Sequence, residues 1–336
     1  MPREVSQPAS AAGLWPERSG YLAALLESAP ADVRERVSEI GEFTLGEENL
    51  AEMRGRQLRD PGTSSGAVAH TDHLAPGGPG DPDVPVRLHR ERGIAEPRPC
   101  LISIHGGGYV IGSHLGDDGR FDRWSPMLRC TGLSVGYRLA PETPYPGPLE
   151  DCYAALRWAY ENAGDLGIDP ARIGIVGGSA GGGLAAGLAL LARDRAEIPV
   201  AFHVLSYPML DDRMATQSAQ AGAPLWGPAA NQFGWRSYLS GLRPGQDIPG
   251  YAVPARATDL AGLPPAFITV GNLDGLLDED VEYARRLIAA GVPTDLHVFA
   301  GAPHAFDSML ASTAVAQQAG RVLENWLECR LHPRQS

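Results

Sequence analysis

The sequence predicts an α/β fold, a mostly parallel central sheet with helices on both faces. From residue 84 onward, short β-rich runs recur with helical patterns between most of them. Such alternation buries a parallel sheet on both sides. The length of 336 residues suits one large domain or two modest ones.

The elements follow in chain order. Residues 1–12 are small and polar and read as a frayed end. From Leu14 to Met53 the apolar spacing is helical, with Tyr21, Leu22, Leu25 and Leu26 in one stretch and Val33, Val37 and Ile40 in the next, separated by Pro30. Residues 60–83, rich in Gly, Pro and Asp, read as a polar loop. The strand-like runs are Val84–His89, Leu101–His105, Leu133–Tyr137, Ile173–Val176, Phe202–Leu205, Phe267–Val270 and Leu296–Phe299. Helical patterns fall around 149–163, 180–194, 279–290 and 315–330. Residues 214–255 interrupt the alternation with Trp226, Phe233, Trp235 and Tyr238, as an insertion between two strands would. The expected organisation is a helical segment over 1–60, a core over 61–213 and 256–330, and the insertion over 214–255.

Composition removes several classes of function. All 28 basic residues are arginine, so Schiff-base chemistry and the lysine-bearing phosphate loop are excluded. A net charge of −12 argues against nucleic acid or an anionic membrane surface as partner. Cys100, Cys130, Cys152 and Cys329 are scattered without a Cys-x-x-Cys pair, so neither a zinc site nor a disulfide framework is expected. His70-x-x-His73 has no cysteine partners and reads as a solvated pair in the polar loop. No metal and no cofactor are therefore expected. The apolar run Tyr21–Leu26 is cut off by Glu27, too short for a signal core or a membrane span, and the expected location is the cytoplasm.

The chemistry sits in the turns. Gly177-Gly178-Ser179-Ala180-Gly181 matches Gly-x-Ser-x-Gly, but so does Gly62-Thr63-Ser64-Ser65-Gly66. With 41 glycines in the chain, context decides between them. The copy at Ser179 follows a strand and opens a helix of small residues, the setting of a nucleophile elbow, whereas the copy at Ser64 lies in the polar loop. His105-Gly106-Gly107-Gly108 follows the strand-like run from Leu101 and is far more specific. Its glycines free backbone N–H groups to meet a developing oxyanion, so Gly106, Gly107 and Ala180 are the expected oxyanion hole. His105 reads as a loop-positioning residue.

A hydroxyl nucleophile needs a base and the base an orienting acid, in the order Ser, Asp/Glu, His for this kind of elbow. Of the histidines after Ser179, His203 and His297 lie in strand-like runs and His332 in the tail; His304 lies on a turn after a strand. Asp274 lies in the loop after the run ending at Val270 and is favoured as the acid. Asp278, entering the next helix, is the alternative.

These residues resemble the hormone-sensitive-lipase-like family of bacterial esterases (family IV), which have the α/β-hydrolase fold. The resemblance runs from about Val84 to Trp326 and includes Tyr137-Arg-Leu-Ala-Pro-Glu142, Glu150-Asp151, Tyr207-Pro-Met-Leu-Asp-Asp-Arg213 and Leu263-Pro-Pro265. It implies a serine carboxylesterase acting on a small-molecule ester, with the triad Ser179, Asp274 and His304 and with the N-terminal segment and the 214–255 insertion forming a cap. A short- to medium-chain ester is expected, and a homodimer is compatible with the sequence. Two positions depart from the family pattern: Gly178 stands where an acid is common, and Ala305 where glycine is common. Three other readings have weaker support. A dinucleotide site would place Ser179 where the second glycine of its motif belongs. A receptor on this scaffold would lack His304. A dehydratase, which keeps much of the site, is the alternative activity. Trp226, Phe233 and Trp235 fit an acyl pocket or the cap core equally well, with Tyr109 and Trp124 similarly placed.

Overall fold

The structure is a computed structural model that describes residues 24–40, 43–57, 66–221, 223–243 and 245–333. The frayed end, the helical pattern before residue 24 and the Ser64 motif lie outside the described residues. After helical residues 24–28 come α1 (Ala31–Ile40) and α2 (Leu50–Gln57). The sheet has eight strands, β1 (Val68–Ala75), β2 (Val84–Glu91), β3 (Arg98–Ile104), β4 (Thr131–Val135), β5 (Ile168–Gly178), β6 (Phe202–Ser206), β7 (Ala266–Gly271) and β8 (Thr294–Phe299). Their order is β1-β2-β4-β3-β5-β6-β7-β8. β1 and β2 form an antiparallel hairpin and β2 meets β4 antiparallel, while every pair from β4 to β8 is parallel.

All seven expected runs are strands, and β1 is an eighth inside the stretch read as a loop. Its sequence, Val-Ala-His-Thr-Asp-His-Leu-Ala, is polar because it is an edge strand. Only Val68 and Ala75 at its ends are buried, and its cross-strand partners on β2 include His89 for His70 and Arg87 for Asp72. His70 is therefore not a solvated loop residue, and it does not pair with His73.

The longer helices are α3 (Asp118–Met127), α4 (Gly147–Glu161), α5 (Ala180–Arg195), α6 (Pro228–Tyr238), α7 (Leu277–Ala289) and α8 (Ala314–Leu331). Side chains alternate along the strands and feed two cores. Ile102, Ile104, Ile173 and Ile175 pack with α4, α5 and α7. Leu101, Val176, Phe202 and Phe267 pack with Phe121 and Trp124 of α3 and Leu327 and Leu331 of α8. The chain winds to one side of β3 and then, from β5, to the other. A crevice opens outside the carboxyl ends of parallel strands at such a switch point, and the expected site residues sit there.

Two family motifs prove structural. The buried carboxylate of Asp151 accepts the Arg138 backbone N–H at 2.8 Å and grips its guanidinium at 2.7–3.1 Å. The Arg54 guanidinium on α2 donates to Glu142 at 2.7 and 2.9 Å and to the carbonyls of Val110 and Ala140, which pins α2 over the crevice.

Candidate active site

Ser179 occupies the turn between β5 and α5 with φ 57° and ψ −123°. A β-carbon pays steric energy for positive φ. The turn imposes it, because the Ser179 N–H donates to the Ser206 carbonyl and the Met209 N–H to the Ser179 carbonyl, both at 2.9 Å. The flanking glycines are forced by space. A Cβ on Gly177 would lie 2.2 Å from the Gly181 oxygen, and one on Gly181 would lie 2.1 Å from the Ile104 oxygen. Gly178, by contrast, has room: a Cβ there meets the Tyr207 ring at an ordinary 3.4 Å.

The structure brings three of the expected residues into one hydrogen-bonded line. Ser179 Oγ lies 2.9 Å from His304 Nε2, and His304 Nδ1 lies 2.8 Å from Asp274 Oδ2. All three are buried, at 6%, 4% and 3% exposure. The Leu276 N–H donates to the other Asp274 oxygen at 3.0 Å. The loops carrying Asp274 and His304 are tied together, since the Leu273 N–H donates to the Ala302 carbonyl and the Gly301 N–H to Asn272 Oδ1. Asp278 is elsewhere: its carboxylate accepts the Ser218 N–H at 2.9 Å and anchors the insertion.

The loop after β3 lies beside the serine. Among the described residues neither the Gly106 nor the Gly107 N–H donates to a backbone acceptor. Ala180 begins α5, where the first N–H groups have no intrahelical partner. The His105 ring stacks on Tyr137 with centroids 4.2 Å apart, and its Nδ1 lies 2.8 Å from the Gly106 carbonyl oxygen. Burial lowers the His105 pKa to about 4, so at neutral pH the ring is uncharged. Peptide planarity makes that contact directional, because holding the Gly106 carbonyl turns the Gly107 N–H the opposite way. His105 thus lies against the carbonyl side of the Gly106–Gly107 peptide.

A cavity of about 570 Å³ opens over Ser179, Gly106 and Gly107. Phe43, Met53, Ile111, Leu225, Trp226 and Met309 form its apolar wall, and Asp117 and Arg120 a polar end. Trp226 stacks on His304 at 5.8 Å and reaches toward Gly108, where a Cβ would strike its ring at 2.5 Å. Phe233, Trp235 and Tyr109 are buried in the core and do not line the cavity, nor does Trp124. Tyr207, absent from the expected site, lines the cavity, sets its ring edge-on to His304 at 4.9 Å and hydrogen-bonds Asp307. Its presence in the Tyr207-Pro-Met-Leu-Asp-Asp-Arg213 stretch was the available signal. Glu279 on α7 accepts the Leu210 and Asp211 N–H groups and fixes that same segment. Burial holds the Glu279 pKa well above the usual carboxylate range.

A family model described as the alpha/beta hydrolase fold matches residues 101–308. Carboxylesterase NlhH of Mycobacterium tuberculosis is 36% identical over 290 residues, spanning 82% of this chain and 87% of that protein. Among solved structures, one titled bacterial heroin esterase superposes with a TM-score of 0.85 at 38% identity, covering 91% of this chain and 99% of that one. Esterase LipW from Mycobacterium marinum gives 0.82 at 35% identity, covering 92% and 98%.

Proposed function

The chain belongs to the α/β-hydrolase family, in its hormone-sensitive-lipase-like branch of carboxylesterases, and on that premise we propose that Ser179, His304 and Asp274 are its catalytic triad. The observation that carries the proposal is the unbroken line from Ser179 Oγ through both nitrogens of His304 to Asp274. His304 Nε2 takes the serine proton as Oγ attacks the ester carbonyl, while Asp274 holds the ring in the tautomer with its proton on Nδ1. The N–H groups of Gly106, Gly107 and Ala180 receive the tetrahedral oxyanion. His304 then protonates the leaving alcohol, and a water activated by the same ring releases the acid from the acyl-serine.

The residues over the cavity support a cap made of two separate stretches. Phe43 and Met53 come from the segment over 1–60, and Leu225 and Trp226 from the insertion over 214–255. A cavity of this volume with apolar walls supports a small substrate held mostly by its hydrocarbon part. The expected substrate is a short- to medium-chain ester. Nitrophenyl esters of two to about sixteen acyl carbons test this; kcat/KM should peak among the short and medium chains. A maximum at the longest chains would overturn the assignment of substrate class.

A further inference from the structure

A second cluster of reactive groups lies where the β1–β2 hairpin meets α3. His70 Nδ1 and His89 Nδ1 are 2.8 Å apart, and Asp118 Oδ1 is 3.7 Å from each. The three ligand atoms lie within 4.8 Å of one another. His70 comes from the edge strand, His89 from its cross-strand partner position and Asp118 from the start of α3.

The outer hydrogen bonds fix which ring nitrogens carry protons. His70 Nε2 lies 3.1 Å from Asp122 Oδ1, which can only accept from it. His89 Nε2 lies 2.9 Å from Ser134 Oγ, whose own proton goes to Asp117 Oδ2 at 2.9 Å. Ser134 Oγ therefore accepts from His89 Nε2. These partners select the tautomer with the proton on Nε2 in the neutral form of either ring, which leaves Nδ1 as a bare lone pair. Among the described residues, Asp118 Oδ1 is also buried without a hydrogen-bond donor. Three acceptor atoms then stand 2.8–3.7 Å apart, which is unfavourable unless a cation sits among them.

We propose that His70, His89 and Asp118 bind one divalent cation of the zinc class. A triangle with sides of 2.8, 3.7 and 3.7 Å has its centre about 2.0 Å from every corner. Zinc bonds imidazole nitrogen at roughly 2.0–2.1 Å and carboxylate oxygen at roughly 2.0–2.2 Å. Two imidazoles and one carboxylate match that ion's ligand preference, and they leave a position for a fourth ligand. Asp122 and Ser134 hold the far nitrogens of the two rings, the outer support that metal-binding histidines commonly have. Asp72 and Asp118 share the guanidinium of Arg87, so two carboxylates meet one arginine beside the cluster. The ion would fasten the edge hairpin to α3. The expectation of no metal came from pairing His70 with His73; the fold pairs His70 with His89, nineteen residues on.

Untagged full-length protein, stripped by dialysis against a chelator and moved to chelator-free buffer, is titrated with Zn(II) against a chromophoric competitor. Native mass spectrometry reads the stoichiometry, and Co(II) absorption reports whether the ion has nitrogen and oxygen ligands in low coordination number. One ion per chain and a rise in thermal midpoint are expected. Asp118→Asn preserves shape and the contact with Arg87, and should weaken binding at least about 10-fold. Asp122→Ala removes the acceptor of His70 Nε2–H and should weaken it by roughly 10–100-fold. Cooperative unfolding of both variants without metal shows that they are folded. Absence of saturable one-to-one binding to the wild-type chain would overturn the proposal and leave a proton as the shared cation. Binding unchanged by Asp118→Asn would overturn it equally.

Discussion

Ala305, directly after His304, has φ 53°. An L-residue pays about 1–2 kcal/mol for that left-handed conformation, whereas glycine adopts it freely at an entropic cost of roughly 0.5–1 kcal/mol. Ala305→Gly should therefore raise stability by up to about 1 kcal/mol, read as a higher thermal midpoint, with kcat/KM little changed. His105 supports a different prediction. Without its contact to the Gly106 carbonyl, the Gly107 N–H loses its aim. His105→Ala should lower kcat by about 10–100-fold, less than the 10²–10³ typical of losing a donor outright. It should also alter acid stability. In the folded chain His105 has its pKa lowered from 6.5 to about 4. Between those values the unfolded state binds the proton and the folded state does not, so stability falls as pH drops through that window. Chemical unfolding at several pH values should show a shallower fall in the variant.

The elbow formed by β5, Ser179 and α5 shows how far a turn can be read from sequence. Two Gly-x-Ser-x-Gly stretches look alike as letters, and strand and helix context favoured the one at Ser179. The structure adds the physical reason, since the carbonyls of Gly181 and Ile104 occupy the space that side chains at 177 and 181 would need. Gly181→Ala should cost at least the roughly 1–3 kcal/mol usual for overpacking and displace the serine, so that activity falls further than stability explains. Denaturant titration together with kcat separates the two effects. β2 to β7 were legible because their apolar runs are largely buried, and β8, at the opposite edge, because Leu296, Val298 and Phe299 are apolar although only Phe299 is buried. β1 was not, because an edge strand needs few apolar residues and its His and Asp side chains look like loop. α3 escaped for a related reason: Asp118, Arg120, Asp122 and Arg123 dominate its sequence, while only Phe121, Trp124 and Ser125 join Asp118 among its buried residues. Polar side chains that pair with one another across elements leave no periodic trace.

At the scale of the whole molecule, residues far apart in sequence converge because the sheet changes winding direction between β3 and β5. The loops after β3, β5, β7 and β8 then meet at one end and bring 106, 179, 274 and 304 together. That order along the chain was readable, and it selected His304 among four downstream histidines and favoured Asp274 over Asp278. Tyr207 and the cavity wall were less accessible, since they depend on how the 207–213 segment folds over the site under the hold of Glu279. Among the described residues no helix is long and apolar enough to cross a membrane. The central claim is that Ser179 is the nucleophile, and covalent labelling tests it most directly. After treatment with a fluorophosphonate and digestion, the peptide containing Ser179 should carry the phosphonyl mass in step with the loss of esterase activity. Ser179→Ala should neither label nor retain more than about a millionth of wild-type kcat. Full inactivation with Ser179 unmodified would contradict the account.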